Sequence, residues 1–530
     1  MEVKIALLWP EIALFITTCF VMILGQSRFK DSRNLVPYIA GLGMIASGVL
    51  AYFSPMAATP LPYLPKYGKL IIAIVGFVLL LLLTGTVDSD VEEQADRTGK
   101  IDIGRTVRGE FYSFILFSLT GLMLCAGADD LIFLFLALEL TSLPTYVMVS
   151  ISTGRNRSME AGVKYFFLGA MGAATFLYGF ALIYGATGST NFQTIARVLA
   201  AQADHGGVNA LAMTGLVVAF LGVCFKIAAV PMHFYTPDVY QGAASPVSAF
   251  LAFVPKAAGF FAIMGLMSLV GWHFDMYGLL GGHSLPPPLR VVLWVIAATT
   301  MTVGNVMAIL QSSVKRLLAY SSIAHSGYML VGIVAGPGDG PSTFTRNGLA
   351  AVIFYLGAYG ITTAGAFAAV ACLERRGADG EIEEPDRIDE LKGLVKTHPL
   401  VGWTLVLSSM GLLGLPPLLG FLGKVPLFTS AMGAGETVLV VVLAMNSAIA
   451  AYYYLRLAYV AFIEAPDAAP NAPKLSLTPY SGRLVASAIS MVAIVGLAVV
   501  GWKFGDWARQ GGSYVAPEIV KVTAADSGTR

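Results

Sequence analysis

Apolar runs of about twenty residues follow one another through almost the whole of this sequence, and each is long enough to cross a hydrocarbon layer of about 30 Å as a helix. Few folds are open to such a chain. In lipid every backbone polar group must be bonded within the protein, so the choice lies between helices and a closed barrel. No alternation of apolar and polar residues with period two points to strands. Composition agrees, with 56% of the 530 residues hydrophobic and 12% charged, where soluble domains carry about 25% charged residues. The sequence therefore predicts an all-α polytopic membrane protein surrounded by lipids. A net charge of +1 gives a nucleic-acid partner nothing to bind.

The apolar segments are 3–25, 35–54, 69–87, 111–127, 130–150, 161–187, 209–241, 245–270, 289–310, 315–336, 345–373, 399–432, 436–463 and 483–505, which predicts about fourteen transmembrane helices. The first lacks a basic leader and a small-residue cleavage site, so it reads as a span and not as a removable signal. The seventh and twelfth are over-long and contain prolines, Pro231 in one and Pro416 with Pro417 in the other. A proline inside a helix removes one backbone bond and clashes with the preceding turn, so both spans are expected to be discontinuous. Spans 4–8 and 9–13 each hold five helices with the broken one fourth. This predicts two five-helix repeats, the second inverted because five is odd, with the polar path at the breaks.

The chain then divides into three N-terminal helices with a connector (1–110), a first repeat (111–270), a second repeat (271–463), and a final helix with a polar tail (464–530). More basic residues fall in the loops that face inward if both termini are outside, so the termini are placed on the outer side. The mixed-charge connectors 88–110 and 374–396 are expected to be solvated loops or short helices on the inner face. Cys19, Cys125, Cys224 and Cys372 stand singly in apolar runs. They are read as small buried packing residues, with no metal or cluster site.

Charge in the spans is the functional signal. Glu139, Lys164, Lys226, Lys256 and Lys424 lie inside apolar segments, where each costs about 2.5–3.5 kcal/mol on insertion scales. Lys164 is only a turn into its segment, behind Arg155 and Arg157, so a stem that snorkels to the headgroups and a buried role both stay open. Lys256 lies near the middle of 245–270, about 18 Å from either end at 1.5 Å per residue, beyond a lysine's reach. A lone buried glutamate would take up a proton and a lone lysine would lose one, so such groups stay charged only in company. Paired and strung across a membrane plane, they form a proton relay. His325, in KRLLAYSSIAHSGYMLVG with its many hydroxyls, reads as a member of that wire or as a bonded structural histidine. His233, after Pro231, could bridge the Lys226 and Lys256 regions. His205, His273, His283 and His398 fall in or beside loops and receive no role.

These residues sit in phrases that resemble a known family. KIAAVPMHFYTPDVYQGAASPVSAFLAFVPKAAGF (226–260), LALELTSLPTY (136–146), VKYFFLGA (163–170), VKRLLAYSSIAHSGYML (314–330), LPPLLGFLGK (415–424) and the early LLWPEIALF are similar to the antiporter-like membrane subunits of respiratory complex I. Within them the likeness is to the subunit-N branch, since Lys424 stands where subunit M is expected to carry glutamate. The long C-terminal lateral helix of subunit L is also lacking.

The resemblance implies a proton-translocating subunit of an NADH:quinone oxidoreductase in a bacterial plasma (inner) membrane, next to subunit M-like and subunit K-like neighbours. Glu139 would partner Lys226, Lys256 would connect the two halves and Lys424 would end the line. Lys164, His233 and His325 match further positions of the family pattern. With no GxGxxG loop or cysteine set, the chain is expected to bind no cofactor, leaving NADH, FMN, iron–sulfur clusters and quinone to partner subunits. A cation/proton antiporter subunit of the Mrp kind, or a membrane-bound hydrogenase subunit, is the alternative.

Overall fold

The computed structural model describes residues 2–88, 91–92, 105–153, 155–204, 207–272, 284–338, 343–376, 382–465 and 475–516. Its helices are α1 (Glu2–Gly25), α2 (Val36–Tyr52), α3 (Leu64–Leu82), α4 (Arg108–Ala126), α5 (Leu131–Ile151), α6 (Asn156–Thr187), α7 (Ala210–Cys224), α8 (Thr236–Gly242), α9 (Ser245–Val270), α10 (Pro287–Ile309), α11 (Val314–Ala335), α12 (Gly348–Ala371), α13 (Pro399–Leu413), α14 (Leu419–Gly433), α15 (Thr437–Phe462) and α16 (Ser481–Gly511). Among the described residues, 12 helices are long and apolar enough to span a membrane, and α7 and α13 are shorter apolar helices. Those two begin the segments expected to be broken. The seventh segment stops at Cys224 and resumes at Thr236, and the twelfth stops at Leu413 and resumes at Leu419. Each gap contains a cis X–Pro bond, Val230–Pro231 in one and Pro416–Pro417 in the other.

Burial separates the centre of the bundle from its rim. The apolar windows of α9 and α11 are 100% buried and that of α12 is 94% buried, against 33% for α1, α6 and α15. The lysine of α9 and the histidine of α11 thus lie on helices with no lipid-facing side. The central α9 packs on α4, α5 and α12, and α11 packs on α8, α10, α12 and α14. In the N-terminal part α1 lies against α2 and α4, while α3 lies against α4, α12 and α16.

Several expectations need correction. The third helix starts at Leu64, not 69, with a proline in its first turn, a position where the missing N–H costs nothing. This shift carries Lys69 inside the helix. A further helix, Phe192–Asp204, lies between the sixth and seventh segments and was not expected. Cys125, Cys224 and Cys372 are buried, but Cys19 is exposed on α1. Connector 374–396 is no free loop. Strands β1 (Leu373–Arg376), β2 (Ile382–Glu383) and β3 (Ser476–Leu477) form an antiparallel sheet in the order β2-β1-β3. Beyond them Ile388, Leu391 and Leu394 are buried.

The acids of this connector bind helix ends. Glu384 accepts from the backbone N–H and the hydroxyl of Ser245 at 2.9 and 2.7 Å and pairs with Lys315 at 2.8 Å. Asp386 accepts from Ser313 Oγ at 2.5 Å and Gln241 Nε2 at 2.8 Å. A carboxylate at the start of α9 satisfies an orphan N–H and meets the positive end of the helix dipole. Burial raises the Glu384 carboxyl, but Lys315, Arg483 and the Ser245 bonds outweigh it and hold it at about 2. His205, His273, His283, most of connector 88–110 and the tail from 517 lie outside the described residues.

Candidate functional site

The first break is built around Lys226, two residues past the end of α7. Pro231 cannot donate a backbone bond, and Ala228 takes φ +54°, a left-handed conformation costly for a residue with a Cβ. Several groups freed by this turn find side-chain partners. The Phe225 carbonyl accepts from Tyr235 Oη at 2.8 Å, the Ile227 carbonyl from Ser326 Oγ at 2.6 Å, and the Val230 N–H donates to Thr300 Oγ1 at 3.0 Å. Unwound backbone persists at membrane depth only when it is satisfied in this way.

Opposite it, α5 is capped by Asp130, whose carboxylate accepts from the Ile132 and Phe133 N–H groups. The 3.6-residue period then sets Glu139 and Ser142 on one face. Lys226 Nζ lies 3.0 Å from Glu139 Oε1 and 2.5 Å from Ser142 Oγ, and 5.6 Å from the centre of the Phe176 ring. The lysine side chain is 1% exposed and the glutamate 18%. Gly259 on α9 makes this approach possible, since a Cβ there would lie 2.5 Å from Ile227 Cγ2 and 3.1 Å from Lys226 Cβ.

Lys256 follows Pro255 inside α9 and is 2% exposed. Its Nζ donates to the Ser322 carbonyl and to Ser326 Oγ, the latter at 3.1 Å. Ser326 therefore touches both Lys256 and the carbonyl of Ile227, next to Lys226. Further along α11, His325 is 1% exposed. Its Nδ1 meets Tyr355 Oη at 2.6 Å and its Nε2 meets Tyr454 Oη at 2.8 Å. Tyr454 also bonds Ser321. Tyr328, with its ring centre 5.3 Å from that of His325, lies 4.9 Å from Lys424 Nζ and accepts from Asn305 Nδ2 at 2.8 Å.

Lys424 ends the series. It sits in the first turns of α14 and donates to the carbonyl of Leu413, the last residue of α13, at 2.7 Å. Gly414 fits this turn because its φ is +85° and a Cβ would lie 2.8 Å from Lys424 Cδ. Among the described residues no carboxylate pairs with Lys256 or Lys424. Their partners are carbonyl and hydroxyl oxygens, which accept from an amine whether or not it carries the extra proton.

Two anticipated residues lie elsewhere. The Lys164 side chain is 46% exposed and pairs with Glu160 at 2.8 Å and Asp238 at 3.3 Å; Asp238 also pairs with Arg316 at 2.7 Å. His233 is 8% exposed with Nδ1 unbonded, and among the described residues it makes no hydrogen bond to Lys226 or Lys256. The sequence reading missed Ser142, Tyr355, Tyr454 and Asn305. Their signal was hydroxyl and amide groups in otherwise apolar segments. It also missed a second buried ion pair, Glu11 with Lys69.

Comparison with known proteins came to the same region. A family profile described as NADH:quinone oxidoreductase/Mrp antiporter, TM, matches residues 128–450. A Symbiobacterium thermophilum protein named NADH-quinone oxidoreductase subunit N 2 is 35% identical over 508 residues, covering 93% of this chain and 94% of the relative. A chain of respiratory complex I from Thermus thermophilus superposes with TM-score 0.70 at 31% identity, over 93% of this chain and 97% of that one. A chain of the Mrp complex from Dietzia superposes with TM-score 0.75 at 18% identity, over 97% of each, a likeness of fold alone.

Proposed function

Since the chain belongs to the NADH:quinone oxidoreductase/Mrp antiporter membrane family, we propose that it is the subunit-N-like, proton-translocating part of the membrane arm of an NADH:quinone oxidoreductase. The observation that carries this reading is α11. One helix, buried throughout its apolar window, presents Ser322 and Ser326 to Lys256, Ser326 also to the opened backbone beside Lys226, His325 to two tyrosines, and Tyr328 to Lys424.

The relay would work by charge. When Glu139 and Lys226 are paired, each steadies the other's ionic form. When they separate, Lys226 is left in a weakly polarisable core and gives up a proton. That changes the field at Lys256, then at His325 and Lys424. Lys164, half-exposed beside Asp238, would stand at the mouth of the path, and His233 beside the first break. The drive would come from NADH, flavin, iron–sulfur and quinone chemistry in partner subunits, with subunit M-like and subunit K-like chains as neighbours in a bacterial inner membrane. In this reading both termini face outward, residues 111–270 and 271–463 are the two inverted repeats, and the chain's share of the catalysis is translocation.

Lys226→Ala or Glu139→Ala in the assembled complex is expected to lower proton pumping in sealed vesicles strongly. Assembly and pumping at the wild-type level would end the relay proposal. A second reading, an Mrp-like cation/proton antiporter or a related membrane complex, is favoured by the fold. The Mrp chain and one from an archaeal sulfane sulfur reductase both superpose at TM-score 0.75. NADH-dependent quinone reduction by the assembly that co-purifies with the chain decides for the first. Sodium-dependent growth without redox partners decides for the second.

A further inference from the structure

Among the described residues, the relay leaves the most deeply buried ion pair unused. Glu11 on α1 and Lys69 on α3 are 2.7 Å apart with side chains 5% and 1% exposed, and Lys69 Nζ also donates to the Leu7 carbonyl at 2.5 Å. Pro10, just before Glu11, cannot donate to the carbonyl one turn back, so α1 is loosened where the lysine reaches it. Among the described residues neither side chain hydrogen-bonds to a member of the Glu139–Lys424 series.

A staple between α1 and α3 needs no charge. Replacing a buried ion pair by apolar residues of like volume is often neutral or stabilising, and each charge in a span is costly. Two further observations point to proton exchange. Among the described residues Glu11 Oε2 is buried and has no hydrogen-bond partner, and a buried carboxylate oxygen in that state is a place for a proton or a bound water. The second is position.

A Cβ on Gly127 would lie 3.7 Å from Lys69 Nζ, so the ammonium sits under the turn between α4 and α5. That turn leads directly to part-exposed Asp129 and Asp130, where Thr190 Oγ1 donates to Asp130 at 2.6 Å and Asn191 Nδ2 to the Asp129 carbonyl at 3.2 Å. On the other side, a Cβ on Gly68 would lie 3.3 Å from the ring of Phe261 on α9, the helix that carries Lys256.

We propose that Glu11 and Lys69 form a second proton-exchange site, lying beneath the α4–α5 turn, with Glu11 Oε2 as the atom that gains and loses the proton. In the resting pair Glu11 is a carboxylate and Lys69 an ammonium. Uptake forms an O–H bond at Oε2 and leaves a neutral carboxyl beside the charged lysine. Release breaks that bond and returns the proton to water, and no electron moves. The part this site plays in pumping rests on the reading of the chain as a proton-translocating subunit, whereas the exchange itself can be followed without turnover.

The test uses the whole purified complex in lipid. In an infrared pH titration without NADH, the protonated-carboxyl C=O bands that appear on acidification and shift in heavy water are expected to lose one component in Glu11→Gln. The double variant Glu11→Leu/Lys69→Met, which keeps an apolar contact between α1 and α3, is expected to assemble in normal yield. Its vesicle acidification is expected to be slower than that of the wild type. A titration unchanged by Glu11→Gln overturns the proposal, and so does a double variant that pumps at the wild-type rate. Should Lys226→Ala in the same preparation also pump normally, the subunit reading has failed and the infrared titration alone decides the pair.

Discussion

At the first interruption the lysine comes before the proline, and at the second it comes after. Lys226 follows the end of α7 and is matched with a carboxylate from α5. Lys424 lies within α14 and binds the terminal carbonyl of α13, over the face of Tyr328. The backbone groups differ in the same way. At the first break some close on their own turn, the Ala228 and Ala229 N–H groups donating to the Phe225 and Cys224 carbonyls at 3.0 and 2.9 Å, while others are held by Tyr235 of the same break and by Ser326 and Thr300 on two other helices. At the second they close on their own turn, with the Gly414 and Leu415 N–H groups donating to the Met410 carbonyl at 3.1 and 3.0 Å. A lysine with a countercharge can change state by separating from it. A lysine held by a helix-end carbonyl and a ring face, both of which favour a cation, changes state only by gaining or losing its proton. In the proposed relay the first break would therefore act as a switch and the second as a terminal station.

Stability measurements probe this contrast most strongly. Lys226→Met strands Glu139 without its cation, and breaking a buried pair from one side costs about 3–5 kcal/mol. Lys424→Met strands only the Leu413 carbonyl, for about 1–3 kcal/mol. Thermal unfolding of the solubilised complex should rank them in that order, and equal losses would remove the distinction.

The next effect belongs to the first break alone. Glu384 ties Lys315 to the start of α9, directly after α8. Its value of about 2 lies below the ordinary 4.5, so the tie is at full strength above pH 4.5 and is lost as pH falls through about 2. The difference amounts to about 3 kcal/mol at 1.36 kcal/mol per unit. Unfolding followed between pH 5 and pH 2 should flatten in Glu384→Gln, and an unchanged slope would detach the connector from the break. Smaller again is Gly414→Ala, which puts a Cβ at φ +85° beside Lys424, for about 1–2 kcal/mol. It should slow pumping through the second break and leave the Glu139–Lys226 pair intact, and wild-type behaviour would mean the turn has room to spare.

Both breaks were legible because proline and lysine have no cheap place in a lipid-spanning helix, and Glu139 and Lys256 were legible for the same reason. Ser326 was visible only as one hydroxyl among several, since the side chain that bridges two elements 99 residues apart is chosen by packing and not by local pattern. Glu11 and Lys69 escaped because hydropathy fixes a segment's existence better than its ends. With the third segment begun at 69, its lysine stood at the very edge of the segment, and Glu11 had no partner in view. Connector 374–396 has short helical turns at Ile388–Leu391 and Leu394–Thr397, but its strands and its packing against the bundle were missed for a related reason. Dense mixed charge usually means solvent, but here Glu384 and Asp386 are acceptors for the starts of α9 and α11 and the end of α8, helices whose positions no local pattern reveals.

Lys164 gives the smallest expected effect and the sharpest check on where the switch ends. Its side chain is 46% exposed, and its partners Glu160 and Asp238 are 65% and 43% exposed. Asp238 keeps Arg316 at 2.7 Å when the lysine is gone. Such pairs contribute little and weaken as salt shortens the reach of charge from about 30 Å at 0.01 M to about 3 Å at 1 M. Lys164→Gln should therefore pump slightly more slowly than wild type in dilute buffer and indistinguishably from it in high salt, as its proposed place at the mouth requires. Lys226→Ala should stay slow at both, since salt does not reach a pair buried in the bundle. A Lys164→Gln defect that rivals Lys226→Ala and survives high salt would place Lys164 in the line itself, and the first break would then be a three-membered switch.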